Sequence, residues 1–292
     1  MIAARLATTL TLTVVLIGGC SPQEPPPTPT PTPTVARPRF EITTYMYALQ
    51  TKSKIRIGVL DGAPPLSARE PGGRRSGFEV DLGRELARTI FGPQQDIDSV
   101  IEWISVDRST AVTALTSLQA DVVIARLTIT DEHATVIDLT DPYFVTGERI
   151  LVKATNDEIK ELSDLDTKTV CVQNGSGVDA HMEDANELAR TLALDTYSSC
   201  LGALQAGQVD AVGADEATLW RLIQQAPDTK IVAAPILPER YAFGVKKTTG
   251  GDRQGFLPFL NTFMAGVIRD GTWGRLYAQD VAPLSKETKT AP

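Results

Sequence analysis

Histidine and cysteine are scarce in this sequence, which has two histidines and three cysteines among its 292 residues. These side chains are the usual ligands of zinc, and no two cysteines have the C-x-x-C spacing of a zinc or redox motif. The HExxH motif of zinc proteases and the GxSxG motif of serine hydrolases are also absent. We therefore expect no metal site, no cofactor and no catalytic residue.

Basic residues are fewer than acidic ones: the sequence has 28 Lys and Arg and 36 Asp and Glu, which gives a net charge of -8. Nucleic-acid binding depends on clustered basic side chains, so we expect no nucleic-acid partner. The hydrophobic fraction of 42% is that of an ordinary globular protein. At about 150 residues per domain, the length predicts about two domains.

No apolar run is long enough for a transmembrane helix. The run over residues 6–17 follows Arg5 and ends just before Gly18, Gly19 and Cys20, which is typical of a signal peptide. The junction resembles the lipobox of bacterial lipoproteins. We therefore expect residues 1–20 to be a signal peptide and Cys20 to be lipidated; the alternative is an ordinary signal peptide with a chance cysteine.

Residues 21–39 are rich in proline and threonine. Such a composition favours extended polyproline II and cannot form a packed core. We expect a tether that holds the folded part outside the cell, attached to the membrane through the lipid.

The remaining residues alternate β-branched runs with helical patterns, which predicts an α/β fold. One helix is indicated by Leu82, Leu86 and Ile90 before Gly92, a second by apolar residues over 256–268 before Gly271, and a short one by residues 43–52. The predicted strands are residues 54–60, 100–105, 121–125, 150–153, 169–173, 209–213, 231–234 and 241–245.

The motif over residues 77–90, GFEVDLGRELARTI, resembles the signature of the extracellular solute-binding proteins of polar amino-acid ABC importers. Matching segments extend the resemblance from about residue 54 to residue 278. The paired cysteines and the Glu239-Arg-Tyr241 run are most similar to the glutamate- and glutamine-binding lipoproteins of actinobacteria. The segments that carry the match are residues 120–130, 141–144, 173–176, 204–211 and 270–273.

The resemblance implies a two-lobe periplasmic-binding-protein-like α/β fold with the ligand in a cleft between the lobes. Two hinge crossings are expected near residues 148–153 and 241–246. Lobe 1 would then comprise residues 40–148 and 246–292, and lobe 2 residues 149–245. The resemblance also implies that the protein is a monomer and is not an enzyme.

Cys171 and Cys200 remain as an even pair once Cys20 is lipidated. An exported protein meets an oxidising compartment, so we expect a disulfide between them. Two buried free thiols are the alternative.

A cleft that binds a free amino acid needs a guanidinium for the α-carboxylate and a carboxylate for the α-ammonium. The resemblance assigns the ammonium to Asp215, whose alternative role is that of a solvated loop acid. It also places Ser176, next to Gly175, at a helix start whose N–H groups face the ligand, with Asp179 completing a capping box. Ser176 is alternatively only the helix cap.

The chain departs from the family where the carboxylate-binding arginine belongs, because His133 occupies that position. Arg126, seven residues earlier, is our candidate for the displaced guanidinium; the alternative is a structural salt bridge. Thr128 in the same segment is a further candidate contact. Asp61 stands where many relatives carry an aromatic lid, so we expect it to face the ligand.

These residues predict a lipid-anchored, extracytoplasmic protein that captures a polar amino acid of the glutamate, glutamine, aspartate or asparagine group for an ABC permease. One alternative is a sensor that signals ligand occupancy to a membrane partner. A remote alternative is a dehydratase-like enzyme on the same fold, for which Glu132 and His133 are the nominated acid–base pair.

Overall fold

A computed structural model describes residues 38–248, 251 and 253–292. The predicted signal peptide, Cys20 and all but the last two residues of the predicted tether lie outside these ranges. Within the ranges, helices and strands alternate along the chain, as expected for an α/β protein.

The helices pack against strands through buried apolar faces. In the helix with the clearest sequence signal, Phe78, Leu82, Leu86 and Ile90 are fully buried, and each such side chain contributes about 1.5 to 3 kcal/mol. The described α-helices are α1 (Tyr45–Lys52), α2 (Phe78–Phe91), α3 (Ala111–Thr116), α4 (Asp131–Val136), α5 (Val178–Ala185), α6 (Tyr197–Ala206), α7 (Glu216–Gln225), α8 (Phe256–Arg269), α9 (Thr272–Asp280) and α10 (Ala282–Ser285).

The strands include all eight predicted regions and several that the sequence did not signal. The described strands are β1 (Ile55–Leu60), β2 (Gly62–Ala63), β3 (Ser67–Arg69), β4 (Arg75–Ser76), β5 (Ile101–Val106), β6 (Val122–Thr128), β7 (Ile137–Lys153), β8 (Thr169–Gln173), β9 (Arg190–Leu194), β10 (Ala211–Asp215), β11 (Thr229–Val232) and β12 (Pro238–Lys246). Within the described ranges, no helix is both long and apolar enough to cross a bilayer.

Nine of the described strands share one sheet, in the order β5-β1-β6-β12-β7-β10-β8-β9, with β11 also paired to β7. At one side, β1 runs parallel to β5 and β6; at the other, β8 runs parallel to β9 and β10. The antiparallel strands β12 and β7 lie between these two parallel groups. Strands β2, β3 and β4 form a separate small sheet.

Strand β7 changes partners at Gly147. Residues 137–147 pair with β12, whereas residues 148–153 pair with β10 and β11. Gly147 has φ +152°, and a Cβ atom there would lie 2.3 Å from the carbonyl oxygen of Leu237, so this close approach requires glycine. We call β5, β1, β6, β12 and residues 137–147 of β7 the β6 half of the sheet. Residues 148–153 of β7, together with β11, β10, β8 and β9, form the β10 half.

The chain returns to the β6 half earlier than the sequence suggested. Strand β12 begins at Pro238, opposite Gly147, and pairs with β6 and β7 within the β6 half. Residues 241–246, expected at the second crossing, therefore lie inside that half. The lobe bounds at residues 148 and 246 stay a prediction, and the pairing favours a second bound nearer Pro238.

Cys171 on β8 and Cys200 on α6 form a disulfide, with their Cα atoms 5.4 Å apart. Both residues are fully buried. The bridge ties a helix to the sheet within the β10 half.

Candidate ligand-binding cleft

A cavity of about 450 Å³ lies where the carboxyl ends of β6 and β10 meet. Its walls come from the β2 turn, the loop after β5, the two strand ends and the start of α7. The carboxyl ends of parallel strands are a common place for ligands in α/β folds. The residues that line it are Gly62, Ala63, Pro64, Arg108, Arg126, Asp215, Ala217, Thr218 and Arg221.

A smaller cavity of about 140 Å³ shares Arg108 and Asp215 with the first. It extends to Gly147, where β7 changes partners, and to Glu239 and Tyr241 on β12. The two cavities together form a polar cleft that runs to the point where the chain passes between the two halves.

Arg126 reaches the cavity from a strained backbone position near the end of β6. Its φ is +53°, in the left-handed region that non-glycine residues rarely adopt. Its backbone N–H donates to Glu79 Oε1 at 3.0 Å and to the Tyr143 hydroxyl oxygen at 3.2 Å. The guanidinium donates through Nη2 to the carbonyl oxygen of Ala63 at 3.1 Å. The described residues offer it no salt bridge, and its buried Nε lacks a hydrogen-bond partner.

Glu79 is the buried group behind Arg126. Its side chain is fully buried, and the Tyr143 hydroxyl donates to its Oε1. Burial raises the pKa of the Glu79 carboxyl to about 7, although the charge of Arg126 and the hydrogen bonds oppose the rise. Glu79 thus holds the strand end that presents Arg126 while remaining outside the cavity.

Asp215 is the last residue of β10 and the N-cap of α7. Its Oδ1 accepts from the backbone N–H of Thr218 at 3.0 Å, and its Oδ2 accepts from the Thr218 hydroxyl at 2.6 Å. These bonds fix the carboxylate, and the residue is still exposed to the cavity. A carboxylate has about four acceptor sites, so capacity for an ammonium group remains.

The sequence analysis missed two cavity arginines. Arg108 follows β5 in an exposed loop, and Arg221 lies on α7, where its Nη2 donates to the Thr218 hydroxyl oxygen at 3.0 Å. Arg221 is three residues after Thr218, a helical spacing that puts the two side chains on one face of α7. Arg108 had no signal beyond its position after a strand.

Asp61 does not line the cavity, contrary to expectation. Its carboxylate accepts from Arg75 at 2.6 Å and lies 3.7 Å from Arg69. Burial raises the pKa of the Asp61 carboxyl, but hydrogen bonds from Arg75 and Ser105 outweigh it, so the pKa lies below its usual value. The buried Arg75 guanidinium therefore takes the carboxylate that the sequence assigned to a ligand.

His133 and Thr128 are also absent from the cavity lining. The His133 ring donates through Nδ1 to the Thr128 carbonyl oxygen at 2.7 Å, and its backbone N–H donates to the Thr130 hydroxyl oxygen at 3.2 Å. The imidazole is thus bound to the end of its own strand. The residue at the position of the family's carboxylate-binding arginine therefore makes a local structural contact here.

Ser176 and Gly175 lie before α5 but outside the cavity lining. The expected capping box with Asp179 is not formed, because Gly177 in the left-handed conformation occupies the cap without a side-chain hydrogen bond. The Ser176 hydroxyl oxygen instead accepts from the backbone N–H of Val178 at 3.4 Å. Ser176 therefore lies at the start of α5 without forming the cavity wall.

No cluster of three or more His, Cys, Asp or Glu side chains in the described ranges could hold a metal ion. The cleft offers guanidinium groups, a carboxylate, hydroxyl groups and backbone carbonyls. Such a set binds a small zwitterion or anion through charge-assisted hydrogen bonds.

Comparisons with known proteins agree on one family. The family model of the bacterial extracellular solute-binding proteins, family 3, matches residues 55–280. A glutamine-binding protein of Geobacillus stearothermophilus is 27% identical over 246 residues, 84% of this chain and 92% of that protein. The glutamate-binding protein GluB of Corynebacterium glutamicum is 27% identical over 244 residues, 81% of each chain.

Solved structures share the fold. An ancestral cyclohexadienyl dehydratase aligns with a TM-score of 0.66 at 20% identity, over 84% of this chain and 97% of that chain. At this identity the likeness concerns the fold alone, which is the two-lobe α/β fold of periplasmic binding proteins. Because the family model spans most of the sequence, the chain belongs to the bacterial extracellular solute-binding proteins of family 3.

Proposed function

We propose that this protein binds a free polar amino acid outside the cytoplasm and delivers it to an ABC importer. The observation that carries the proposal is the placement of Arg126 and Asp215 on one cavity. A guanidinium and a carboxylate are complementary to the two charges of an α-amino acid. Curated relatives named for glutamine and glutamate binding support the same ligand group.

In this proposal, Arg126 binds the α-carboxylate and Asp215 binds the α-ammonium. Arg126 belongs to the β6 half and Asp215 to the β10 half. A ligand held by both would draw the two halves together, which is the hinge closure typical of periplasmic binding proteins. Ser176, which lines neither cavity, would contact the ligand only after such closure.

We further propose that the protein is a monomer attached to the membrane through lipid on Cys20. The support is the Gly18-Gly19-Cys20 junction after an apolar run and before a proline-rich tether. Cys20→Ser should release the full chain from the membrane fraction. Retention of that variant in the membrane would contradict lipid anchoring and favour an uncleaved signal anchor.

A sensor that reports ligand occupancy to a membrane partner uses the same cleft and is the alternative role. Uptake separates the two, because deleting the gene abolishes ligand accumulation only for a transport component. The dehydratase alternative nominated Glu132 and His133, and neither lines the cavity. We therefore propose no catalytic step.

The direct test starts from ligand that co-purifies with the protein. Mass spectrometry of material released by denaturation should identify an amino acid, and calorimetry on refolded protein should show that it rebinds. Asp215→Ala should weaken that binding by about 10²-fold or more, because the ammonium loses a charged partner. Failure of all twenty amino acids to bind would overturn the proposal.

A further inference from the structure

The main cavity holds three guanidinium groups and one carboxylate. Arg108, Arg126 and Arg221 line it together with Asp215. Within the described chain, none of the three arginines makes a salt bridge, whereas Arg75 and Arg84 each bind a carboxylate at 2.6 to 2.8 Å. The cleft therefore has more positive charge than the chain itself neutralises.

The surrounding acids do not remove this excess. Glu239 lines the adjoining cavity with Arg108, but no salt bridge joins them. Asp61 is occupied by Arg75, and Glu79 lies buried behind the strand end. Counting Asp215 and Glu239 against the three arginines leaves the cleft with a net charge of about +1.

Arg221 is positioned by a short hydrogen-bonded chain. Its Nη2 donates to the Thr218 hydroxyl oxygen at 3.0 Å, and that hydroxyl donates to Asp215 Oδ2 at 2.6 Å. The guanidinium is thereby held beside the carboxylate that we assign to the α-ammonium. A side chain extending from the ligand's α-carbon would begin within reach of Arg221.

A zwitterion with a neutral side chain would use Arg126 and Asp215 and leave the other two arginines without an anion. We propose that the ligand is an acidic amino acid whose side-chain carboxylate is bound by Arg108 and Arg221. This inference rests on the proposed function and selects the acids over the amides within the ligand group. A ligand of net charge -1 also complements the charge of the cleft.

The same two residues make closure selective. Arg108 comes from the β6 half, and Arg221 comes from α7 beside the β10 half. Like charges on opposite walls repel as the cleft narrows, and a carboxylate between them removes the repulsion. A neutral amide of the same shape cannot remove this repulsion. The protein therefore discriminates between the two ligands by a favourable interaction with the acid and by an unfavourable one with the amide.

Calorimetry on refolded full-length protein can test this with glutamate against glutamine and aspartate against asparagine. We expect one acid to bind at least about 10²-fold more tightly than its amide. Arg108→Gln and Arg221→Gln should each weaken binding of the acid by about 10-fold or more and change amide binding by less than about threefold. Arg190→Gln, at an exposed arginine outside the cavity lining, is the matched control and should change neither.

The experiment distinguishes failure of the acidic-ligand proposal from failure of the proposed amino-acid binding. An amide that binds as tightly as its acid, or acid binding unchanged in both arginine variants, overturns the acidic ligand while leaving amino-acid binding intact. Absence of binding by every amino acid overturns both. Circular dichroism of each variant confirms that a lost affinity does not come from a lost fold.

Discussion

The backbone N–H of Arg126 donates to the buried carboxylate of Glu79 at 3.0 Å, and this bond fixes the strand end that carries the cavity guanidinium. The Tyr143 hydroxyl donates to the same oxygen, while Glu79 Oε2 is buried without a hydrogen-bond partner in the described chain. The acid is therefore half satisfied, and its burial raises the pKa of the carboxyl to about 7.

We predict that Glu79 makes stability fall as pH rises from about 4.5 to about 7. The pKa of Glu79 in the folded state lies above the unfolded value of about 4.3, so the folded state binds more protons in this window. The free energy of unfolding therefore declines as pH rises. Glu79→Gln cannot titrate and keeps an oxygen for Arg126 and Tyr143. Relative to wild type, the variant should gain on the order of 1 to 3 kcal/mol between pH 5 and pH 7, and the gain should level off about one pH unit above the folded pKa.

Urea unfolding at several pH values measures this difference. Glu187→Gln, at an exposed glutamate, serves as the control and should follow the wild-type curve. A Glu79→Gln curve that stays parallel to wild type from pH 5 to pH 7 would show that the buried carboxyl does not titrate in this window.

We predict that Arg126→Ala abolishes measurable ligand binding or weakens it by about 10²-fold or more, because the α-carboxylate loses its guanidinium partner. His133→Ala should change affinity by less than about threefold, since its ring is bound to the Thr128 carbonyl oxygen outside the cavity. Calorimetry with the co-purified ligand gives both values. The reverse order of effects would mean that the carboxylate receptor has stayed at the family position.

The sequence predicted the fold well wherever strands are buried. Strand β8 has the predicted bounds, and helix α2 contains Leu82, Leu86 and Ile90 and ends just before Gly92, as predicted. Strand β9 was missed because most of its residues are exposed, so it presents no buried run. The length of β7 was missed because its two parts pair with different strands, and one-dimensional periodicity does not report a change of partner.

The site was predictable only in part. Arg126 and Asp215 lie at strand ends, where sequence position reports the location of a side chain. Asp61 and His133 lie outside the cavity lining, because a nearby guanidinium and a backbone carbonyl bind them; their roles in binding stay predictions. Hydrogen-bond and salt-bridge partners of this kind depend on the folded structure, and a sequence pattern does not report them.

We predict that breaking the Cys171–Cys200 disulfide lowers the free energy of unfolding by about 2 to 4 kcal/mol. The bridge closes a loop with a sequence separation of 29 residues, and its loss gives the unfolded chain more conformational freedom. Urea unfolding of wild type with and without a reductant that reaches the bond tests this. The double variant Cys171→Ala with Cys200→Ala should resemble reduced wild type and ignore reductant. Equal stability of oxidised and reduced wild type would contradict a stabilising bridge.

Glu216, the first residue of α7, is a fully buried carboxylate that joins three parts of the chain. It accepts from Arg149 on β7 at 2.9 Å, from Thr146 at 2.8 Å and from Lys289 in the C-terminal segment at 2.7 Å. Arg149 also binds Glu287 at 2.8 Å. These contacts attach the C-terminal segment to the strand that passes between the two sheet halves.

Glu216→Ala should destabilise the protein by about 3 to 5 kcal/mol, because it leaves the mostly buried Arg149 and Lys289 without their shared carboxylate. Glu287→Ala should cost about 1 kcal/mol or less, since Arg149 keeps Glu216 and the Glu287 side chain is 23% exposed. Adding Lys289→Ala to Glu216→Ala should then restore part of the lost stability, because one unpaired charge is removed with its partner. Urea unfolding of the single and double variants measures all three effects. Strict additivity in the double variant would mean that the two side chains do not interact, and the C-terminal segment would then be held by its other contacts.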